Sequence, residues 1–275
     1  MTLHDRPQNL TEIVAGNTGL PAKVDVVAQV LSQTRLSEYV CKLVLQAPSI
    51  ALRSHPGQFV QVGLQQGGTL LRRPLGLAEV DTIQGNISLI YRIVGKGTDA
   101  LSILRDGAVV KVLGPLGHGF SKETKKPLLV GGGMGLSPLL YCAQWMSAHN
   151  IKVDVLMGGR TAEELFWQRL FATCTDNIYL TTDDGSLGLK GFVTDLLPQI
   201  LTKSDYDKVM VCGPEIMMKN VYKVCREKIV SCEVSLERRM GCGLGACLSC
   251  SIDTLSGRRK VCKDGPVFPA EEVFF

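Results

Sequence analysis

Along the first half of the chain, apolar residues recur in short alternating runs. Val24-Asp25-Val26-Val27-Ala28-Gln29-Val30 sets the pattern, and residues 39–45, 58–62, 87–94 and 108–113 repeat it with turn residues between them. Several short strands at this spacing, from Ala22 to about Phe120, predict a small antiparallel β-barrel or sandwich. One helix is expected over 98–104, because Thr98 and Asp99 suit a helix start.

The rhythm changes at Pro127. Leu128-Leu129-Val130 is a short buried run, followed by glycines and then helical periodicity over 137–146. Strands at 153–157, 178–181 and 208–212 then alternate with helices at 162–171, 192–200 and 215–227. Such alternation predicts a parallel sheet covered on both faces. Residues 121–126 are charged and lack apolar periodicity, which sets the boundary between the two patterns. Beyond Ser231, glycines and cysteines dominate. That segment is too short for much of a core of its own, so a metal site would supply its stability. The expected organisation is an extension (1–21), a barrel domain (22–122), a nucleotide-type α/β domain (123–230) and a small cysteine module (231–275).

Composition narrows the function. Thirty basic and 26 acidic residues leave a net charge of +4 without a Lys/Arg run, so nucleic acid is not the implied partner. The mean hydropathy is slightly positive, which fits buried parallel strands or a large partner interface. No stretch reaches the roughly 18 apolar residues a membrane span needs. The most apolar one, 127–142, is broken by Gly131, Gly132, Gly133, Gly135 and Pro138. Asp5, Arg6 and Glu12 leave no room for the apolar core of a secretory signal, so the cytoplasm is the expected compartment.

Ten cysteines are many for a reducing compartment. Cys41, Cys142, Cys174, Cys212, Cys225 and Cys232 are scattered, and most read as small buried hydrophobes. The other four are grouped. Cys242, Cys247 and Cys250 form C-x4-C-x2-C, and Cys262 follows after eleven residues. This is the spacing of plant-type [2Fe-2S] ligands. Gly241, Gly243, Gly245 and Ala246 keep the loop free of bulk and let N–H groups face the sulfurs. The return through Ser256-Gly257 and Val261 makes a closing hairpin. A structural zinc is the alternative. Zinc sites more often pair their ligands in two short hooks, whereas here three cysteines share one loop.

Further motifs bear on chemistry. Gly131-Gly132-Gly133-Met134-Gly135-Leu136-Ser137-Pro138 follows a strand and opens a helix, so it is either a pyrophosphate cradle or a plain tight turn. Cys212-Gly213-Pro214-Glu215 ends the last strand of the alternating domain, where such sheets bind ligands. A small polarisable Cys212 there would leave room for a nicotinamide to stack on a flavin, and a plain βα turn is the other reading. In the barrel, Arg72-Arg73-Pro74-Leu75-Gly76-Leu77 supplies guanidinium groups suited to phosphate, or else a solvated strand edge. Tyr91 is placed to stack on a ring system, and Gly97-Thr98 begins a helix that is another anion site.

Taken in order, Arg73 to Gly76, Ile90-Tyr91-Arg92, Gly97-Thr98, Gly114-Pro115-Leu116-Gly117-His118-Gly119-Phe120, the 131–138 loop, Cys212 to Glu215 and the four cysteines resemble the ferredoxin–NADP reductase superfamily. Within it they are most similar to the electron-transfer subunits of type B dihydroorotate dehydrogenases, over roughly residues 22–275. The resemblance implies an FAD-binding antiparallel barrel, an NAD-binding parallel α/β domain and a C-terminal [2Fe-2S] module. FAD would be held by Arg73, Pro74, Leu75, Gly76, Ile90, Tyr91, Arg92, Gly97 and Thr98. NAD would use Gly131, Gly132, Gly133, Gly135, Gly213 and Pro214, with Cys212 at the reacting end. Cys242, Cys247, Cys250 and Cys262 would hold the cluster. The implied partner is an FMN-containing dehydrogenase subunit that oxidises dihydroorotate to orotate, in a heterotetramer of two plus two. Electrons would pass from FMN through [2Fe-2S] and FAD to NAD. Reductases of hydrogenase, sulfide or sulfur reductase, or ferredoxin–nicotinamide transhydrogenase complexes share the scaffold. Gly76 departs from the family's usual Ser or Thr, which removes a hydroxyl from the flavin strand. Preference for NAD over NADP is implied by the family, and Asp183 and Asp184 are either repellents of a 2′-phosphate or surface turn residues.

Overall fold

The computed structural model describes residues 23–64, 70–175 and 177–275. The expected extension, 1–21, lies outside the described residues. The first domain contains β1 (Val24–Ser37), β2 (Val40–Gln46), α1 (Pro48–Ala51), β3 (Phe59–Leu64), β4 (Arg73–Asp81), β5 (Asn86–Arg92), α2 (Lys96–Ser102) and β6 (Val109–Leu116). Its strands close into an antiparallel barrel in the order β1-β2-β5-β4-β3-β6. Alternation explains the closure. Ala28, Val30, Leu43, Leu45, Val60, Val62, Leu89, Val110 and Val112 share one buried core, while the residues between them face outward.

Strand β4 is the element that hydrophobic pattern alone obscures. It opens on Arg73-Pro74, and a register shift between Leu77 and Glu79 leaves Leu77 and Ala78 both buried. A bulge of this kind interrupts the two-residue period that would reveal the strand. Helix α2 begins at Lys96, two residues before the expected start, and the Thr98 hydroxyl accepts the N–H groups of Val94 (2.9 Å) and Gly95 (3.2 Å).

The second sheet is built from β7 (Pro127–Gly132), α3 (Leu136–Ala148), β8 (Asp154–Gly159), α4 (Trp167–Phe171), β9 (Ile178–Thr182), β10 (Leu189–Lys190), α5 (Val193–Lys203), β11 (Lys208–Cys212), α6 (Glu215–Glu227) and β12 (Ser231–Ser235). The chain then forms a hairpin, β13 (Ser251–Thr254) and β14 (Gly257–Lys260), followed by α7 (Val261–Asp264), β15 (Val267–Pro269) and α8 (Ala270–Val273). The helix expected over 162–171 is instead a 3-10 turn, Ala162–Leu165, and the short α4. Trp167 and Phe171 are fully buried there and anchor the segment in the core.

The sheet order is β10-β9-β8-β7-β11-β12-β15, parallel except for β15. Strand order reverses beside β7, so the carboxyl ends of β7 and β11 flank a crevice. The cysteine segment is not a freestanding module. Its flanking strands β12 and β15 complete the edge of this sheet, and Cys250 and Cys262 share one apolar core with Val130, Val211, Val234 and the barrel residue Phe59. Helix α3 joins the two domains. Its Ser137 hydroxyl donates to the Ile90 carbonyl at 3.2 Å, and Tyr141 donates to that of Ser54 at 3.0 Å. The expected boundary near 121–126 is pinned by Asp207, whose carboxylate accepts from the Thr124 hydroxyl and the N–H groups of Lys125 and Lys126 at 2.7–2.9 Å.

Candidate functional site

The cysteine loop folds around its own sulfurs. Gly243 at φ +70° and Gly245 at φ +86° adopt left-handed backbone that other residues resist. This turns the N–H groups of Leu244, Ala246 and Cys247 onto the Cys242 sulfur at 3.3–3.4 Å. The Cys242 N–H reaches the Cys247 sulfur at 3.4 Å, and the Cys262 N–H reaches the Cys250 sulfur at 3.5 Å. The Ser249 hydroxyl, 3.1 Å from the Cys247 sulfur, and nearby N–H groups bring that exposed thiol down to about 6. Burial opposes ionisation of Cys242, but the three N–H groups outweigh it and lower its pKa. Burial and the adjacent Cys250 push Cys262 up to about 12.

The four sulfurs therefore fall into two pairs, Cys242 with Cys247 and Cys250 with Cys262. A two-iron cluster needs two thiolates for each iron and N–H groups toward sulfur. The donor set fits the cluster.

The barrel supplies a second site. Arg73 lies against Gly97 of α2, where a Cβ would stand 2.6 Å from the Arg73 Nε. That nitrogen is buried and has no hydrogen-bond partner among the described residues. A cation aimed beside a helix start with an unmatched donor fits a phosphate. The other expected flavin residues divide. Pro74, Leu75 and Gly76 are half-buried on β4, and Gly76 faces Pro138, where a Cβ would make only ordinary 3.6 Å contact. Ile90 is buried in the seam with α3 and offers its carbonyl to Ser137. Tyr91 does not present its ring for stacking. It is buried inside the barrel core, and its hydroxyl accepts from Gln33 at 2.8 Å. The alternation of β5 turns it inward, and Arg92 outward to the nucleotide groove.

That groove, about 770 Å³, opens at the carboxyl ends of β7, β8, β9 and β11. Gly132, Gly133, Gly135, Gly213 and Pro214 line it as the motifs suggest. Gly133 has φ +55° and nothing within 4 Å of where a Cβ would be, so its backbone faces open space. Gly131 has a different role, because a Cβ there would strike Leu136 at 2.3 Å. Cys212 ends β11 beside the groove, and its small side chain leaves the wall clear. Its side chain is buried in the core with Leu136 and Leu139 rather than on the groove wall, and burial pushes the thiol pKa up. The strand end is at the groove, but through Gly213 and Pro214.

Several groove residues carry no local motif. Glu237 is accessible but recessed, and its crowded surroundings raise its carboxyl pKa. Arg160, Glu164 and Asp183 lie at the far end, beyond β8 and β9. Arg160 donates to Glu164 at 2.5 and 2.8 Å, and this pairing lowers the Glu164 pKa. Asp184 instead accepts from the N–H and hydroxyl of Ser186, as a turn residue does.

The three sites adjoin. Gly243 of the cysteine loop packs on Gln61 of β3, the strand beside β4, and α3 carries the glycine loop onto β4.

Comparison with known proteins follows the same division. Residues 27–120 match an oxidoreductase FAD-binding domain, 129–223 an oxidoreductase NAD-binding domain, and 237–274 the iron–sulfur cluster binding domain of dihydroorotate dehydrogenase B. Dihydroorotate dehydrogenase B (NAD(+)), electron transfer subunit, from Bacillus cereus (strain Q1) is 39% identical over 254 residues, covering 89% of this chain and 96% of that one. Its counterpart from Bacillus anthracis (strain A0248) matches to the same extent. The solved NADH-dependent reduced ferredoxin-NADP oxidoreductase superposes with a TM-score of 0.82, 32% identity and 90% coverage of both chains. A ferredoxin NADP+ reductase from Neisseria gonorrhoeae (TM-score 0.63, 16% identity, 74% of this chain and 91% of that one) shares the fold.

Proposed function

The chain belongs to the family of dihydroorotate dehydrogenase B electron transfer subunits, and from that premise we propose that it carries electrons from dihydroorotate, oxidised on an FMN-containing catalytic partner, to NAD. One observation carries the reading: the cysteine loop, the flavin strand and the nucleotide groove are contiguous in a single chain. When bound, a cluster exchanges single electrons, a flavin one or two, and NAD accepts a pair as hydride, so FAD stands between the other two.

The residues have separate tasks. Cys242, Cys247, Cys250 and Cys262 hold the cluster, and the surrounding N–H groups stabilise its negative charge. Arg73, cleared by Gly97, binds the FAD pyrophosphate, and Pro74 to Gly76 border the ring. Gly133, Gly213 and Pro214 admit the NAD backbone. The partner covers the exposed rim of the cysteine loop, where Cys247 lies between Leu244 (46% exposed) and Leu248 (58% exposed). Such apolar exposure beside a metal site suits an interface. A heterotetramer of two plus two and a cytoplasmic location complete the proposal. Ten cysteines free of disulfides suit a reducing compartment, and among the described residues no helix is long and apolar enough to cross a membrane.

The test is anaerobic co-expression with the FMN subunit. About two iron, two sulfide and one FAD per chain are expected, with NAD reduction by dihydroorotate only when both subunits are present. Absence of iron with the cysteines intact would defeat the cluster assignment. A second reading, as a subunit of a ferredoxin–nicotinamide transhydrogenase, is favoured by the likeness to the NADH-dependent reduced ferredoxin-NADP oxidoreductase and by Gly76 on the flavin strand. It predicts turnover with reduced ferredoxin and none with dihydroorotate.

A further inference from the structure

Strand β3 carries a side chain that the fold does not explain. Val60 and Val62 point into the barrel, and Phe59 points outward into the core shared with the parallel sheet. Gln61 points outward with Phe59. It is wholly buried, at 0% exposure, and neither its Nε2 nor its Oε1 has a hydrogen-bond partner among the described residues. A carboxamide can make four hydrogen bonds, and burying it with none is costly. Methionine would fill the same volume without that cost.

The position of Gln61 suggests what the amide is for. It stands opposite Pro74 on β4, within the flavin strand, and opposite Leu113 on β6. On its other side lies Gly243, next to Cys242. A Cβ at Gly243 would come within 2.8 Å of both the Cγ and Nε2 of Gln61. The amide thus packs between the barrel and the cysteine loop, on the same face of β3 as Phe59.

We propose that Gln61 is a positioning residue for electron transfer, whose side-chain N–H donates to a sulfur of the cluster bound at Cys242 and favours the reduced cluster. The inference rests on the reading of the four cysteines as a [2Fe-2S] site. Thiolate and sulfide sulfurs only accept hydrogen bonds, so the NH₂ end of the amide faces them. A reduced cluster carries one more negative charge than an oxidised one. A donor therefore stabilises it more, as hydrogen bonds to cluster sulfurs generally do. Removing the donor shifts the sharing of one electron away from the cluster by about tenfold, which for a one-electron couple is about 59 mV.

The test uses the full chain in complex with its FMN subunit. Wild type, Gln61→Met and Gln61→His are compared by potentiometric titration followed by the electron-spin signal of the reduced cluster. Wild type is also labelled with glutamine carrying ¹⁵N in the side-chain amide, and pulsed spin-echo spectra are recorded. The expected results are a ¹⁵N coupling in wild type, a potential about tenfold lower in electron share for Gln61→Met, and recovery toward wild type in Gln61→His, which keeps an N–H donor. If Gln61→Met sheds its cluster, the wild-type ¹⁵N coupling and the retained potential of Gln61→His decide. No ¹⁵N coupling in wild type, or equal potentials in wild type and Gln61→Met, overturns the proposal. A wild-type chain without iron or a spin signal instead overturns the cluster reading beneath it.

Discussion

Replacing Gly97 by alanine should act in opposite directions on folding and on flavin binding. Gly97 sits in the first turn of α2 with ordinary helical backbone, so alanine brings no backbone strain there. Alanine in a helix is worth up to about 0.5–1 kcal/mol over glycine, chiefly through lost freedom of the unfolded chain. The added methyl would stand 2.6 Å from the Arg73 Nε and 3.0 Å from its Cζ. Those atoms belong to the far end of a flexible side chain, so the flavin-free protein accommodates the methyl by swinging Arg73 aside. The cost appears only when Arg73 is needed. A hydrogen bond to a charged group contributes about 1.5–3 kcal/mol, so losing it weakens FAD binding by about 10- to 150-fold. Fluorescence titration of the deflavinated protein gives the affinity, and thermal melting of the same samples gives the stability. The expected pair is weaker FAD and an unchanged or higher melting temperature. In an Arg73→Ala background Gly97→Ala should add little, because the group it displaces is gone. Unchanged FAD affinity, or a full loss persisting in that background, would refute the account.

The other predictions concern separate parts of the molecule. Cys247→Ser should lose the cluster while retaining FAD and NADH-dependent reduction of artificial acceptors, as metal analysis and diaphorase assays would register. Loss of FAD in that variant would contradict the spatial separation of the sites. Glu164→Gln should release Arg160 toward a 2′-phosphate and raise the NADPH-to-NADH ratio of kcat/KM by roughly tenfold, the worth of one charge-assisted hydrogen bond. An unchanged ratio would place Arg160 away from the adenosine ribose. Asp207→Asn should cost roughly 1 kcal/mol, or about 2–4 °C in Tm, because the amide oxygen still accepts from Thr124 and Lys126 while its NH2 replaces the oxygen that accepts from the Lys125 N–H. Although burial opposes it, hydrogen bonding leaves the Asp207 pKa below its ordinary value. Its contribution is therefore present above about pH 4 and fades as pH falls through the lowered value, so the two melting curves should converge in acid.

What the sequence disclosed was whatever is local. The alternation in β1, β2, β5 and β6 and the strand–helix rhythm after Pro127 are periodic over a few residues, and each formed close to its expected place. The C-x4-C-x2-C spacing gave the cysteine loop its shape for the same reason. Strand β4 was harder because its bulge breaks the period. The inward turn of the Tyr91 ring was not legible, because an aromatic on a barrel strand looks alike whether it faces in or out. For Cys212 likewise, the chain shows where the strand ends but not that the side chain lies in the core while Gly213 and Pro214 line the crevice. Arg160 and Glu237 line one groove only through the winding of the sheet, which brings distant strand ends to one edge. Gln61 was invisible: burial without a partner is a property of tertiary packing alone.

The cysteine loop leaves the sheet from β12 and returns to it at β15, and those two strands are hydrogen-bonded neighbours. Topologically it is an insertion whose two ends meet, so residues outside its buried contacts at Cys250, Ile252, Val261 and Cys262 can change without re-registering any strand beneath it. In evolutionary terms this makes the loop a replaceable plug. One flavin and nicotinamide chassis can be rewired to a different electron donor by exchanging the residues between two adjacent strands, while the hydride-handling end of the molecule stays as it is.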